Sequence, residues 1–176
     1  MERAELTIPV SESDHSMGPH DAPVTLVQYG DFECPYCGAA YPVIKDVQRR
    51  MGDRLRFVFR NFPITTTHPH ALRAAEAAEA AAAQGKFWEM HDMLYEHQDT
   101  LDDAHLRMFA EQIGLDVARF DREMSAGRYE DQVREDFMGG VRSGVGGTPT
   151  FYINGVRFDG NWAGENLLRA VEHATH

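Results

Sequence analysis

Apolar positions along this chain change their period several times, and each change marks a predicted element. Val24-Thr25-Leu26-Val27-Gln28-Tyr29 is rich in β-formers and runs into Gly30-Asp31, which predicts a strand followed by a turn. From Pro35 to Met51 the residues Val43, Ile44 and Val47 fall at helical spacing, with Gly52 beyond the end, so a helix is predicted there, kinked at Pro42. Leu55-Arg56-Phe57-Val58-Phe59-Arg60 predicts a second strand, and the three together form a β-α-β unit with a right-handed crossover. Far along the chain, Phe151-Tyr152-Ile153 and Val156-Arg157-Phe158 flank Asn154-Gly155, a strong hairpin signal, and Gly164 to Ala174 predicts a last helix. Between these halves, roughly Pro69 to Gly144, five helical patterns follow one another. The first is the alanine-rich run Ala71 to Ala83 ended by Gly85, whose small face allows close packing. The others are marked by Phe87, Trp88, Met90, Met93 and Leu94; by Leu106, Phe109, Ala110 and Ile113 before Gly114; by Val117, Phe120 and Met124; and by Tyr129, Val133, Phe137 and Val141. Most of these side chains are expected in the core, with a few aromatic and methionine residues free to line a groove for unfolded polypeptide. Glu5 to Val10 is expected to form a short extra strand, and Ser11 to Asp21 a polar loop.

Composition narrows the class. A chain of 176 residues with 43% apolar content fits one globular domain with a substantial core. Its net charge of −11 argues against nucleic acid or an anionic membrane as partner. The basic run Lys45, Arg49, Arg50, Arg54, Arg56 and Arg60 reads as a solvated face. No apolar run approaches a membrane-spanning length, and no export signal opens the sequence. With Met1 read as a native start, the cytoplasm is the expected compartment; a trimmed sequence would instead fit a periplasmic or other extracytoplasmic protein. No dimerisation segment is recognisable, which favours a monomer.

The chemistry concentrates in Phe32-Glu33-Cys34-Pro35-Tyr36-Cys37, which holds the only two cysteines. The β-α-β order puts this turn at the carboxyl end of the first strand, where α/β sheets usually meet their ligands. At a helix start Cys34 is favoured as thiolate, and Pro35 suits the first helical position. Cys37, one turn on, faces inward and is placed to attack a mixed disulfide. Three other readings remain open for the pair: a structural bridge, half a zinc site, and two inert buried thiols. The bridge is weak because closing so short a loop removes only about 2 kcal/mol of chain entropy. The zinc site lacks its second ligand pair. Asp31 and Glu33 oppose the helix terminus, each by on the order of 1 kcal/mol if exposed at about 4 Å, so Cys34 is expected to be acidic but less so than in the strongest oxidants. His68-Pro69-His70 reads as loop, with no metal expected. His91 and His97 fall in or beside the second insertion helix without a nameable partner.

Four motifs together carry a resemblance: Asp31-Phe32-Glu33-Cys34-Pro35-Tyr36-Cys37, Pro42 five residues later, Gly85-Lys86-Phe87-Trp88-Glu89-Met90-His91, and Gly147-Thr148-Pro149-Thr150. From about Gly18 onward the chain resembles DsbA-like members of the thioredoxin superfamily. That resemblance implies an α/β thioredoxin fold with a mixed central sheet: residues 22–68 and 145–176 as the core, 69–144 as a helical insertion, and 1–21 as an N-terminal strand and loop extension. It implies a thiol-disulfide oxidoreductase with Cys34 and Cys37 catalytic, supported by Pro35, Tyr36, Glu33 and Gln28. Pro149 is expected to be cis against the pair, with Thr148, flanked by Gly147, pairing its backbone with a bound substrate chain. No cofactor is implied beyond a redox-active Cys34–Cys37 disulfide. Expected partners are protein or small-molecule disulfides and thiols, with glutathione or a thioredoxin system as candidate electron partner. Where many relatives carry a buried acid, this chain has Gln28, which does not titrate at ordinary pH; a proton relay would then use water or another acid, with Glu33 nearest. Pro35-Tyr36 resembles glutaredoxins, whereas strongly oxidising relatives carry Pro-His, so a potential between about −230 and −120 mV is expected. A glutathione-linked reductase and a non-catalytic binding module of the same fold are the alternatives. In the cytoplasm the direction would be reduction.

Overall fold

In the computed structural model residues 4–175 are described; Met1, on which the native-start expectation rests, lies outside the described residues, as do the other residues of 1–3 and residue 176. The sheet has five strands in the order β1-β3-β2-β4-β5. At its centre lie β2 (Val24–Gly30) and β3 (Leu55–Asn61), parallel, with Leu26 beside Phe57, and joined by α1 (Pro35–Met51). The antiparallel hairpin β4 (Thr150–Ile153) and β5 (Val156–Phe158) adds to β2, turning at Asn154 and Gly155, both at positive φ as that tight turn requires. Strand alternation sorts the two cores. Leu26, Phe57, Phe59 and Phe151 face a large cluster with α1 and the C-terminal helix α7 (Asn166–His173), while Val27, Tyr29, Val58 and Tyr152 face a smaller one with Phe62, Val145 and Phe137.

Two expectations about the edge are corrected. The strand that pairs with β3 is β1 (His15–Met17), inside the stretch expected to be loop, while Glu5 makes only an isolated bridge to Val156. Arg60 is the cause. Instead of joining a solvated face, its buried guanidinium donates to Asp14 at 2.8 and 3.0 Å, to the carbonyls of Ile8 and Pro9, and to the Tyr29 hydroxyl, pinning residues 8–14 across the sheet. Arg56 is buried beside it on the same strand face, because β3 is central and covered on both sides.

The insertion consists of α2 (Ala71–Ala82), α3 (Phe87–Glu96), α4 (Asp103–Gln112), α5 (Val117–Ser125) and α6 (Glu130–Arg142). Alanines let neighbours close around α2 on all sides, so that Glu76 and Glu79 are buried with them. Glu79 is satisfied by His15 Nε2 at 2.8 Å, Asn61 Nδ2 at 3.0 Å and Gln132, and Asp136 of α6 accepts from the backbone and side chain of the same Asn61. Burial, reinforced by the charge of Glu79, raises Asp136 from 3.8 to about 6. Met108, Met138 and Val141 are the large apolar side chains of the insertion left exposed.

Candidate active site

β2 ends at Gly30, and the chain then turns over Asp31-Phe32-Glu33 into α1. Asp31 builds that turn. One of its carboxylate oxygens accepts from Glu33 N at 2.8 Å, the other from Ile64 N at 2.8 Å and His68 Nδ1 at 2.7 Å, and its own carbonyl accepts from Cys34 N. Glu33 is held by a second histidine: its two oxygens accept from the backbone N and the Nδ1 of His70, at 2.8 and 2.7 Å. Both carboxylates that were expected to oppose a Cys34 thiolate are therefore engaged by the His68-Pro69-His70 loop. Both oxygens of Glu33, the acid expected nearest to a relay, accept from His70, and both oxygens of Asp31 are likewise taken.

Cys34 occupies the N-cap of α1 with extended backbone (φ −70°, ψ 123°), and Pro35 opens the helix, which runs on through Pro42 to Met51. Because β4 lies beside β2, with Thr150 opposite Tyr29, the preceding Gly147-Thr148-Pro149 segment crosses the start of α1. The Thr148–Pro149 peptide bond is cis, and Cys34 Sγ lies 3.6 Å from the Thr148 carbonyl oxygen. Gly147 has its carbonyl held by the Thr150 hydroxyl at 2.7 Å, and open space lies where a Cβ would stand. Tyr36, 69% exposed, is the face of the motif toward solvent; Cys37 is 0% exposed. Gln28 is buried in mid-strand, on the same strand face as Leu26 beneath α1, with Phe59 and Phe151 opposite it in register.

Both cysteines are free thiols, and their environments are unequal. Donation from the Cys37 thiol is the main cause that lowers Cys34 to about 5; burial opposes it, while the Thr148 side chain and the backbone N–H groups of Cys37 and Tyr36 add to the lowering. Cys37 moves the other way. Burial chiefly, then its bond to Cys34 and the charge there, push its thiol well up. The arrangement gives one anionic sulfur backed by a neutral one.

Three neighbours escaped the sequence reading. Gln98 Nε2, just beyond α3, donates to the carbonyls of Phe32 and Cys34, both at 2.9 Å, and its carboxamide occupies the space that a Cβ on Gly38 would need. His91 is buried among aromatic rings with Nδ1 turned to Asp92 at 2.9 Å, which Lys45 holds in turn at 3.0 Å. Tyr95, one helical turn after His91, packs its ring on Phe32. Phe87, Trp88, Met90, Met93 and Leu94 mark this helix in the sequence, but nothing in the order of residues marks which face meets the cysteines. Among the described residues no group of three or more His, Cys, Asp or Glu side chains is placed to hold a metal ion, and no helix is long and apolar enough to cross a membrane.

Fold and site together define a DsbA-like member of the thioredoxin superfamily. A family model described as Thioredoxin matches residues 10–173, and the chain belongs to that family. Among solved structures, oxidised BdbD from Bacillus subtilis superposes with a TM-score of 0.84 at 24% identity over 99% of both chains. A thioredoxin-like oxidoreductase from Silicibacter pomeroyi DSS-3 gives 0.81 at 26% identity over 93% of each. The α-DsbA1 protein of Wolbachia pipientis gives 0.83 at 18% identity over 97% of this chain and 94% of that one. Among curated proteins, a Na(+)/H(+) antiporter NhaA 1 of Salinispora arenicola is 47% identical over 171 residues, 97% of this chain but 26% of that protein. A protein of the same name from Mycobacterium sp. strain KMS is 44% identical over 163 residues, 92% of this chain and 27% of that protein. The chain thus spans about a quarter of the length of these curated relatives. The expected cytoplasmic placement is corrected by these matches: relatives named for DsbA and for a Na(+)/H(+) antiporter give it no support.

Proposed function

We propose that the chain exchanges disulfides with protein or peptide thiols through Cys34 and Cys37. The observation that carries this reading is the inequality of the two thiols, Cys34 at about 5 on a helix N-terminus and Cys37 pushed up behind it. In the oxidising direction a substrate thiolate attacks Cys34 of the disulfide, Cys37 leaves as thiolate, and a second substrate thiolate releases the mixed disulfide held against the Thr148 carbonyl. In the reverse direction Cys34 attacks and Cys37 resolves it. Substrate backbone pairs with the segment at Thr148 and Pro149, beside the exposed Tyr36 and in the open space at Gly147. No metal or organic cofactor takes part. A low-pKa thiolate stabilises the reduced form and makes the pair an oxidant, so we place the potential toward the −120 mV end of the range and the direction as oxidation of substrate thiols. That direction suits an oxidising compartment, and the antiporter-named relatives support a setting at a membrane, as part of a longer protein.

The test is dithiothreitol-dependent reduction of insulin by the wild-type chain and by Cys34→Ser and Cys37→Ser variants. Turnover that needs both cysteines is expected. Activity retained with glutathione by Cys37→Ser would instead support the glutathione-linked reading, and no rate above buffer for the wild type would leave a binding module.

A further inference from the structure

The Tyr95 hydroxyl is buried, and among the described residues it makes no hydrogen bond. Its ring is fixed by Phe32, Tyr41 and His91, at centroid distances of 5.0, 5.6 and 5.1 Å. The hydroxyl rests on the last residue of β2: a Cβ at Gly30 would stand 2.9 Å from it, so glycine is what makes room for the oxygen there. Of the groups that act on it there, Cys37 weighs most, followed by Asp31 and Cys34. A buried donor with no acceptor is costly, and such groups ask for an explanation in function.

We propose that Tyr95 is a further catalytic residue, the hydrogen-bond donor to the Cys37 sulfur as it becomes the thiolate that resolves the mixed disulfide. The proposal rests on the exchange reading above. While Cys37 is a neutral thiol donating to Cys34, its sulfur is a weak acceptor and the tyrosine O–H stays unspent. Once Cys37 loses its proton, to water or to the departing substrate sulfur, a fully buried anion forms, and no cation is among the described groups that act on it. Gln28 cannot ionise, and Glu33 is held by His70. Tyr95 O–H joins the Asp31 N–H and the Thr148 side chain, both of which lower the Cys37 thiol, as a donor in place at this sulfur. The Cys37 thiolate then attacks Cys34 Sγ; the Cys34–Cys37 bond forms, the bond from Cys34 to substrate breaks, and the electron pair leaves on the substrate sulfur. Cys37 is oxidised, the substrate sulfur is reduced, and Tyr95 keeps its proton, because burial holds its hydroxyl well above the ordinary range.

Rapid mixing of the reduced chain with oxidised glutathione, acid quench and mass measurement separates the two steps, formation of the glutathione mixed disulfide and its resolution. Run from about pH 5 to 11, reaching into the range to which burial pushes Cys37, the wild type and Tyr95→Phe are compared, with thermal unfolding alongside. The titratable groups around the oxygen are Cys34, Cys37 and Asp31, with His91 and Tyr41 against the ring, and the phenylalanine ring leaves all five in place. Formation is expected to be unchanged, while resolution slows about tenfold at neutral pH and its midpoint rises by about one unit, so that the mixed disulfide accumulates. Resolution at the wild-type rate and midpoint would overturn the proposal, as would equal slowing of both steps, the signature of general loosening. A wild type that forms no mixed disulfide would fail at the exchange reading itself, one step earlier.

Discussion

One proton governs the residue scale. Cys34 is reactive at neutral pH to the extent that its sulfur is anionic, and at about 5 it is nearly all thiolate. A thiolate absorbance or iodoacetamide titration of the reduced chain is expected to show one midpoint near 5, with Cys37 silent until far higher pH. Since the Cys37 thiol is the leading cause, Cys37→Ala should raise the Cys34 midpoint by about one unit or more, the loss of one charge-assisted hydrogen bond. A Cys34 midpoint at the free-thiol value in the wild type would refute the activated sulfur. The carboxylates flanking the motif were expected to weigh against the thiolate, and the structure instead ties them to His68 and His70. Those partners stand 37 residues away in each case, beyond anything that local spacing reveals.

At the scale of elements, the start of α1 is clamped by the end of α3. Gln98 supplies the clamp with two hydrogen bonds, and Gly38 leaves it room. Gln98→Ala is expected to cost about 1–2 kcal/mol in denaturant unfolding, the net worth of two neutral bonds at a partly buried site. Gly38→Ala would push the flexible carboxamide aside and lose the same bonds, offset by the roughly 1 kcal/mol by which alanine exceeds glycine in a helix. In that background Gln98→Ala should therefore cost far less than it does alone. Additive losses in the double variant would show that Gln98 acts by some other contact. The insertion thus reaches the cysteines through Gln98 and Tyr95, although its helical patterns predicted only packing.

For the whole molecule, the polar junction of β1, β3, α2 and α6 at Asn61 sets a pH dependence. Asp136 is raised from 3.8 to about 6 by burial and by Glu79, so its contribution to stability is fully present below about pH 4 and is lost as pH rises through 6. Asp136→Asn keeps an oxygen to accept from Asn61 but has no charge to bury. The variant is expected to match the wild type near pH 4 and exceed it by about 2 kcal/mol above pH 7 in urea unfolding. Parallel curves across that range would exclude Asp136 as their source. This junction could not be read in advance. Arg56 and Arg60 looked like part of a basic surface, and β1 looked like loop, because a central strand's burial depends on what covers it rather than on its own residues. Periodicity, glycine stops, the Asn154-Gly155 turn and a cysteine pair at a helix start were all determined by the sequence itself, since each rests on interactions within a few residues. Which segments meet was decided only in the tertiary structure: Thr148 over Cys34, Tyr95 beside Cys37, Arg60 under residues 8–14. Such contacts depend on how layers pack, and pairs more than 30 residues apart leave no trace in local pattern.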